Sequence, residues 1–353
     1  MVRKYLQALV AIVLACGMLS CEKDPVSLPT VPAEGRRVYI VCEGSLGQGN
    51  AALSVYLPEK DSVYIDAYQA ANGSALGDVA QSALIRGNKL YVCVNNSDKI
   101  LVLNKSTFKL EHTIQVRKPR YIVPISDSAA VVSTLFSNTL YRVSLQSNTI
   151  TDSIKIGRQN SEGMLVQNGL LYVCPWDVSA TRLYVIENGK TVIDSIPVGG
   201  APHSILLDKN QHAWVLSGNV PKGIGAKLTK LDLPARTPLS SFTFPANANP
   251  IRPYFNPTSD TLYFIGVNYN GGTANNGIFR MGIGDAALPS QPFIAAQALQ
   301  YFWALGIDPQ TGRIYVGDPK GFTQRGRLLQ YNQQGQFLQE DTVGVGPGSM
   351  YFE

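Results

Sequence analysis

The sequence predicts an all-β fold: a seven-bladed β-propeller closed by the C-terminal strand. Three observations predict it: a four-strand unit over residues 77–116, six echoes of that unit's second strand, and a spare strand at the end of the chain. The unit reads as strands at Ser82–Ile85, Leu90–Val94, Ile100–Leu103 and Leu110–Val116. The turns between them are Arg86-Gly87-Asn88, Asn95-Asn96-Ser97-Asp98 and Asn104-Lys105-Ser106-Thr107. β-Branched and aromatic residues fill the strands, and turn-forming residues fill the gaps. Four short strands in about 40 residues is the period of a propeller blade.

Taken in order, residues 1–20 are expected to be a lipoprotein signal peptide. Arg3 and Lys4 make a basic start, and Leu9–Leu19 is an apolar run too short for a fixed membrane span. The run ends in Leu-Ser-Cys at 19–21, so Cys21 is expected to carry lipid. An ordinary secretory peptide with an incidental Cys21 is the alternative. Two acyl chains plus N-acylation would anchor the protein stably, whereas one chain would be marginal. Residues 21–35 read as a lipidated flexible tether, with Glu22-Lys23-Asp24 followed by Pro, Ser and Thr up to Pro32. Residues 36–353 are expected to be the propeller.

The second-strand echoes are Val38–Cys42, Ala130–Thr134, Leu171–Cys174, Ala213–Leu216, Leu262–Ile265 and Ile314–Val316. With Leu90–Val94 they make seven copies, spaced by roughly 40 to 50 residues. The longer intervals carry insertions at Pro221–Ala226 and Tyr269–Asn276. The first copy has no inner strand before it. The end of the chain, Gly346–Glu353, resembles the segments that lead into other inner strands, such as Lys118–Tyr121 and Gly200–Ser204. Ring closure through this strand would remove an open sheet edge.

Composition agrees with an all-β chain. Charged residues make up 16%, and no amphipathic helix pattern exceeds two turns past residue 35. The formal charge of +5 is spread along the chain, so no nucleic-acid partner is expected. Cys42, Cys93 and Cys174 sit in the contexts VYIVC, LYVC and LYVC, the same position of the same strand type. In different blades they would be too far apart to bridge, and they read as buried free thiols.

Blade topology places a site. Strands alternate in direction, so the loop leading into the inner strand and the loop leaving the second strand open on one face near the axis. The candidate ligand-binding residues on that face are Glu43, Asp78, Gln81, Asn95, Arg120, Tyr121, Glu162, Trp176, His203, Arg252, Tyr254 and Trp303. Aromatic surface, both signs of charge and amides suit a broad cleft for a polar, partly apolar ligand. Trp214 lies mid-strand and is expected in the core.

Catalytic patterns are sparse. His112, His203 and His212 are the only histidines, and none has metal-ligand spacing. Neither a G-x-S-x-G nor a phosphate-cradling loop occurs. No catalytic residue, metal site or cofactor is assigned, and the protein is read as a binder rather than an enzyme. Glu43, Asp78, Glu162 and Asn95 could converge on Ca²⁺.

The segments GNAALSVY (49–56), GDVAQS (77–82), VNNS (94–97), PRYI (119–122), LYVCPW (171–176), VGGAPHS (198–204), DTLYFI (260–265), RM (280–281), LGIDPQTGRIYVGDP (305–319) and VGVGPGSM (343–350) carry a resemblance. Together they resemble the YncE-like seven-bladed propeller surface lipoproteins of Bacteroidota. In order and spacing they are nearest to the BtuG, cobalamin-binding branch. Glu22-Lys23-Asp24 resembles the surface-export signal of such lipoproteins, with a generic polar tether as the alternative. The resemblance implies an outer-membrane lipoprotein exposed at the cell surface. It implies capture of a ligand, with cobalamin or another corrinoid as candidate, in the axial cleft for a TonB-dependent outer-membrane transporter. A corrinoid is large and flat, with a ring of amides and an anionic phosphate. The competing readings are a metal-dependent lactonase- or lyase-like propeller enzyme and a protein-interaction scaffold.

Overall fold

A computed structural model describes residues 29–267 and 276–353. The expected signal peptide, Cys21 and the tether as far as residue 28 lie outside the described residues. So does nearly all of the insertion at 269–276.

Seven antiparallel sheets of four strands each make up the fold. Blade 2 is the unit from which the period was read: Ala80–Arg86, Lys89–Val94, Lys99–Asn104 and Leu110–Gln115. The second and third strands are apolar almost throughout and are buried on both faces, because each blade is covered by two neighbours. The outermost strand is mostly exposed and correspondingly polar. The remaining second strands are Val38–Cys42, Ala129–Thr134, Leu170–Pro175, Ala213–Asn219, Thr261–Val267 and Ile314–Asp318, each containing its expected echo.

Closure follows the expected route. Pro347–Phe352 is the inner strand of blade 1 and pairs antiparallel with Val38–Cys42, Tyr39 opposite Tyr351 and Ile40 opposite Met350. The final residue fastens the seam. Glu353 accepts hydrogen bonds from the Tyr39 hydroxyl at 2.9 Å and Lys105 Nζ at 2.5 Å, and Arg37 lies 3.3 Å away.

The core is a ring of apolar clusters, one at each blade–blade junction. Tyr39, Leu53, Leu90 and Val92 join blades 1 and 2. Trp214, Leu228, Phe255 and Phe264 join blades 5 and 6. Trp214 is 2% exposed, and its indole N–H donates to buried Asp208 at 2.9 Å. Cys42, Cys93 and Cys174 are free and buried in separate blades. Burial pushes the thiols of Cys42 and Cys93 up to about 12, which keeps them protonated and inert. One short helix, Ala67–Asn72, links blades 1 and 2; Asp66 caps it and Gly73, in the left-handed region at φ 69°, ends it.

Candidate functional site

The inner strands do not pair regularly with their neighbours. Register shifts occur between Ala80 and Ser82, Pro119 and Ile122, Ser161 and Met164, Pro202 and Ser204, and Ile251 and Tyr254. These bulges hold Gln81, Arg120, Tyr121, Glu162, His203 and Arg252. A bulge frees a residue from strict alternation and re-aims its side chain. In blades 2 to 5 the residue just before the strand (Val79, Lys118, Asn160 or Ala201) also has positive φ, which turns the chain sharply into the bulge.

The re-aimed side chains line a cavity of about 560 Å³ on the face that topology selects. Gln81, Arg120, Tyr121, Glu162, Trp176, His203, Arg252 and Trp303 all contribute to its wall. It continues into a channel of about 320 Å³ along the axis, shared through Tyr121, His203, Ser204 and Arg252. Close approach of the inner strands matters here. A Cβ on Gly163 would lie 2.8 Å from the carbonyl oxygen of His203, so only glycine lets blades 4 and 5 meet at this point.

Two charge pairs dominate the wall. Arg120 donates to Glu162 in a fork, Nε to Oε1 at 2.8 Å and Nη2 to Oε2 at 2.9 Å, and its Nη1 donates to Gln81. Arg252 donates to Glu43 at 2.9 Å, and Trp303 Nε1 donates to the same oxygen at 3.1 Å. Arg252 also stands 5.6 Å from the centre of the Trp303 ring. Each guanidinium is thus held against a carboxylate and an aromatic or amide neighbour. Such paired, desolvated charges form a rigid polar wall whose remaining N–H groups can face a ligand.

His203 is pulled down to about 4 by burial and, secondarily, by Arg252, so its ring is neutral at physiological pH. Its Nδ1 lies 2.9 Å from Ser204 Oγ. Tyr121 is pushed up by burial and by Glu162, against the two arginines, and stays a phenol. The wall therefore offers neutral donors and acceptors between its ion pairs.

The other four predicted residues take different places. Glu43 stands behind the wall and positions Arg252 and Trp303. Asp78 accepts from the Gly47 amide at 3.1 and 3.0 Å and from Asn96, fastening the loop of blade 1 to that of blade 2. Asn95 is buried, and its amide donates to the Pro119 carbonyl at 3.0 Å. Tyr254 lies along the axial channel, edge-on to Phe352, rather than in the cleft. The suggested Ca²⁺ set of Glu43, Asp78, Glu162 and Asn95 is not brought together, since each has a different partner. Among the described residues no group of three His, Cys, Asp or Glu could hold a metal ion.

The cleft also includes residues outside the predicted set: Phe136, Asn160, Val178, Lys222 and Asn249. Phe136 is 70% exposed at the mouth, in the left-handed region at φ 57°, with its amide held by Asn160 Oδ1 at 2.8 Å. Phe136 leaves the second strand of blade 3 as Trp176 leaves that of blade 4, so the same loop rule places it on this face. Lys222 comes from the insertion at Pro221–Ala226, whose first part folds as a 3₁₀ turn over Val220–Lys222 on the cleft face.

Comparison with known proteins places the fold. A quinonprotein alcohol dehydrogenase-like protein from Bacteroides thetaiotaomicron is similar at 17% identity and a TM-score of 0.65, over 90% of this chain and 78% of that one. A candidate 6-phosphogluconolactonase from Bacteroides uniformis is similar at 12% identity and a TM-score of 0.66, over 91% of this chain and all of that one. Hydrazine synthase from Kuenenia stuttgartiensis is similar at 13% identity and a TM-score of 0.61, over 76% of this chain and 88% of that one. At these identities the likeness establishes the propeller architecture alone. No curated protein matches the chain. Over residues 36–340 the sequence matches, and the chain belongs to, the family described as Domain of unknown function (DUF5074).

Proposed function

We propose that the axial cleft captures a polar, amide-bearing ligand with apolar faces, a corrinoid being the leading candidate, and passes it to a TonB-dependent transporter of the outer membrane. The observation that carries this reading is the convergence of bulge-directed side chains from five consecutive blades on one cavity, with its buried charges already paired. Paired charges suit recognition: they give directed hydrogen bonds without a free acid or base. Trp176, Trp303 and Phe136 supply flat apolar surface beside them. Lys222, at the rim, is a cation for an anionic group such as a phosphate.

The direction of the chain supports an anchored protein of this kind. Val38–Cys42 runs toward the cleft face and ends beside Glu43, so the segment before Val38 leaves from the opposite face. A lipid on Cys21 would then hold the propeller with its cleft turned away from the anchor.

Titration calorimetry of the purified protein with cyanocobalamin tests the capture reading. Saturable binding is expected, weakened at least tenfold by Arg252→Ala, with loss of Trp303 stacking as well as a donor. Absence of heat and of a thermal shift at tens of micromolar ligand would remove the corrinoid. Fractionation tests the anchor and the partner: the native protein is expected in outer membranes with a TonB-dependent transporter co-purifying, and Cys21→Ser in the soluble fraction. A soluble native protein would overturn the anchoring.

A further inference from the structure

The lip of the cleft is apolar on one side. Leu135 and Phe136 leave the second strand of blade 3, Trp176 and Val178 leave that of blade 4, and all four line the cavity. In a ring of seven, blades 3 and 4 stand across from blades 6, 7 and 1, which bring Arg252, Trp303 and Glu43. The cleft therefore has an apolar side facing a polar one. Phe136 is 70% exposed and Val178 is 57% exposed, although burial of such side chains is ordinarily favourable.

Phe136 is also held in the left-handed region, a strained conformation for a bulky residue. Two other phenylalanines share it, and packing accounts for both. Phe108, at φ 59°, is buried and tilted against Tyr39, and Phe322, at φ 60°, meets Trp303 edge-on at 5.5 Å. Phe136 has no comparable burial. Its conformation is fixed through the backbone, by the dipeptide Gln159-Asn160 that leads into blade 4. Asn160 Oδ1 accepts from the Phe136 amide at 2.8 Å, and the Asn160 carbonyl accepts from the Trp176 amide at 2.8 Å. The Gln159 amide donates to Asp177 Oδ2 at 3.4 Å. Asp177 Oδ1 in turn accepts from the Ser179 amide at 2.8 Å and hydroxyl at 2.6 Å, which closes the turn that carries Val178. The Trp176 indole is pinned from the next blade, donating to the Gly218 carbonyl at 3.1 Å. One dipeptide thus ties together Phe136, Trp176 and the turn of Val178.

We propose that Phe136, Trp176 and Val178 form a pre-built platform for a flat hydrocarbon face of the ligand, such as an unsaturated ring system, and that Asn160 is the residue that positions it. The inference rests on the reading of the axial cleft as a ligand site and adds which side of the ligand meets which wall. Exposed apolar surface and a left-handed phenylalanine both lower the stability of the free protein. Both costs are offset when a flat face covers the lip. Side chains ordered before binding lose little freedom on binding, so a lip held by hydrogen bonds favours affinity. The polar groups of such a ligand would face the ion-paired wall across the cleft.

Prodan, a neutral and flat naphthalene fluorophore, is the probe, titrated into the purified protein and read by its blue shift. Saturable binding is expected. Phe136→Asn removes the ring and leaves a residue that adopts positive φ readily, so binding is expected to weaken about fivefold with Tm unchanged or raised. Asn160→Gly keeps the left-handed backbone at φ 58° and the carbonyl bond to Trp176 but deletes the acceptor, and a similar loss is expected. Asn160→Asp supplies an acceptor oxygen again and is expected to recover most of that loss. In the Phe136→Asn background Asn160→Gly is expected to add nothing, because the ring it positions is gone. Equal Prodan affinity in the native protein, Phe136→Asn and Asn160→Gly overturns the platform, as does the absence of saturable binding. A Tm lowered by several degrees in Phe136→Asn also overturns it, by making the ring a structural one. Cyanocobalamin titrated into the same variants separates the two readings. Prodan binding that follows the variants while cyanocobalamin fails to bind supports the platform and removes the corrinoid. Cyanocobalamin affinity unchanged in both Phe136→Asn and Asn160→Gly overturns the platform while leaving the cleft in place.

Discussion

At His203 the surroundings set the charge state. Burial, and then Arg252, hold its imidazole down near 4, against an ordinary value of 6.5. The folded state therefore binds fewer protons than the unfolded chain between those two values. Stability from this residue is fully present above pH 6.5 and is lost as pH falls through 4, a loss of up to about 3 kcal/mol. Urea denaturation at pH 7, 5 and 4 is expected to show this decline, and His203→Gln to flatten it. An unchanged profile in the variant would place the titration elsewhere. Position within the blade foretold part of the cleft lining. Gln81, Arg120, Glu162 and Arg252 were legible because each lies at a loop-to-strand boundary on the selected face. Asp78 and Asn95 lie at the same boundaries, but their short side chains are consumed by neighbouring backbone. Nothing local distinguishes a carboxylate that fastens a loop from one that faces a ligand.

The strand is the scale at which the site is aimed. Second strands were legible because they are continuous apolar runs between turns, a pattern that needs no knowledge of neighbours. The bulges were not legible. Pro202-His203-Ser204 and Arg252-Pro253-Tyr254 look like ordinary strand starts, and the extra residue becomes visible only against the partner strand. Tyr254 shows the consequence, since it lies just beyond the bulge and so faces the channel instead of the cleft. Gly163 tests how tightly the inner strands are drawn together. Gly163→Ala puts a methyl group against the backbone of blade 5 and is expected to cost about 2 kcal/mol, read as a lower urea midpoint. Ligand affinity should fall with it, because Glu162 and His203 are on the two strands pushed apart. A neutral substitution would mean that the inner strands yield at this point.

For the whole molecule the decisive event is closure. Deleting residues 347–353 would leave Val38–Cys42 as an open apolar edge and would remove Met350, which is 5% exposed. Such an edge is a template for pairing with other chains. The truncated protein is expected to aggregate, seen by size-exclusion chromatography, whereas Glu353→Ala, which removes only the fastening carboxylate, should stay folded with a Tm lower by about 2 °C. A soluble, cooperative truncated chain would show that the seam is dispensable. The sequence by itself determined the number of blades, the partner of the last strand, the buried thiols and the face on which the cleft opens. All of these follow from strand period, turn chemistry and strand direction, which are local properties. Only the tertiary structure decided which side chains meet, because the contacts that make the cleft join residues far apart in the chain. Arg252 and Glu43 are 209 positions apart and Trp303 and Glu43 are 260, and no local pattern specifies which guanidinium finds which carboxylate.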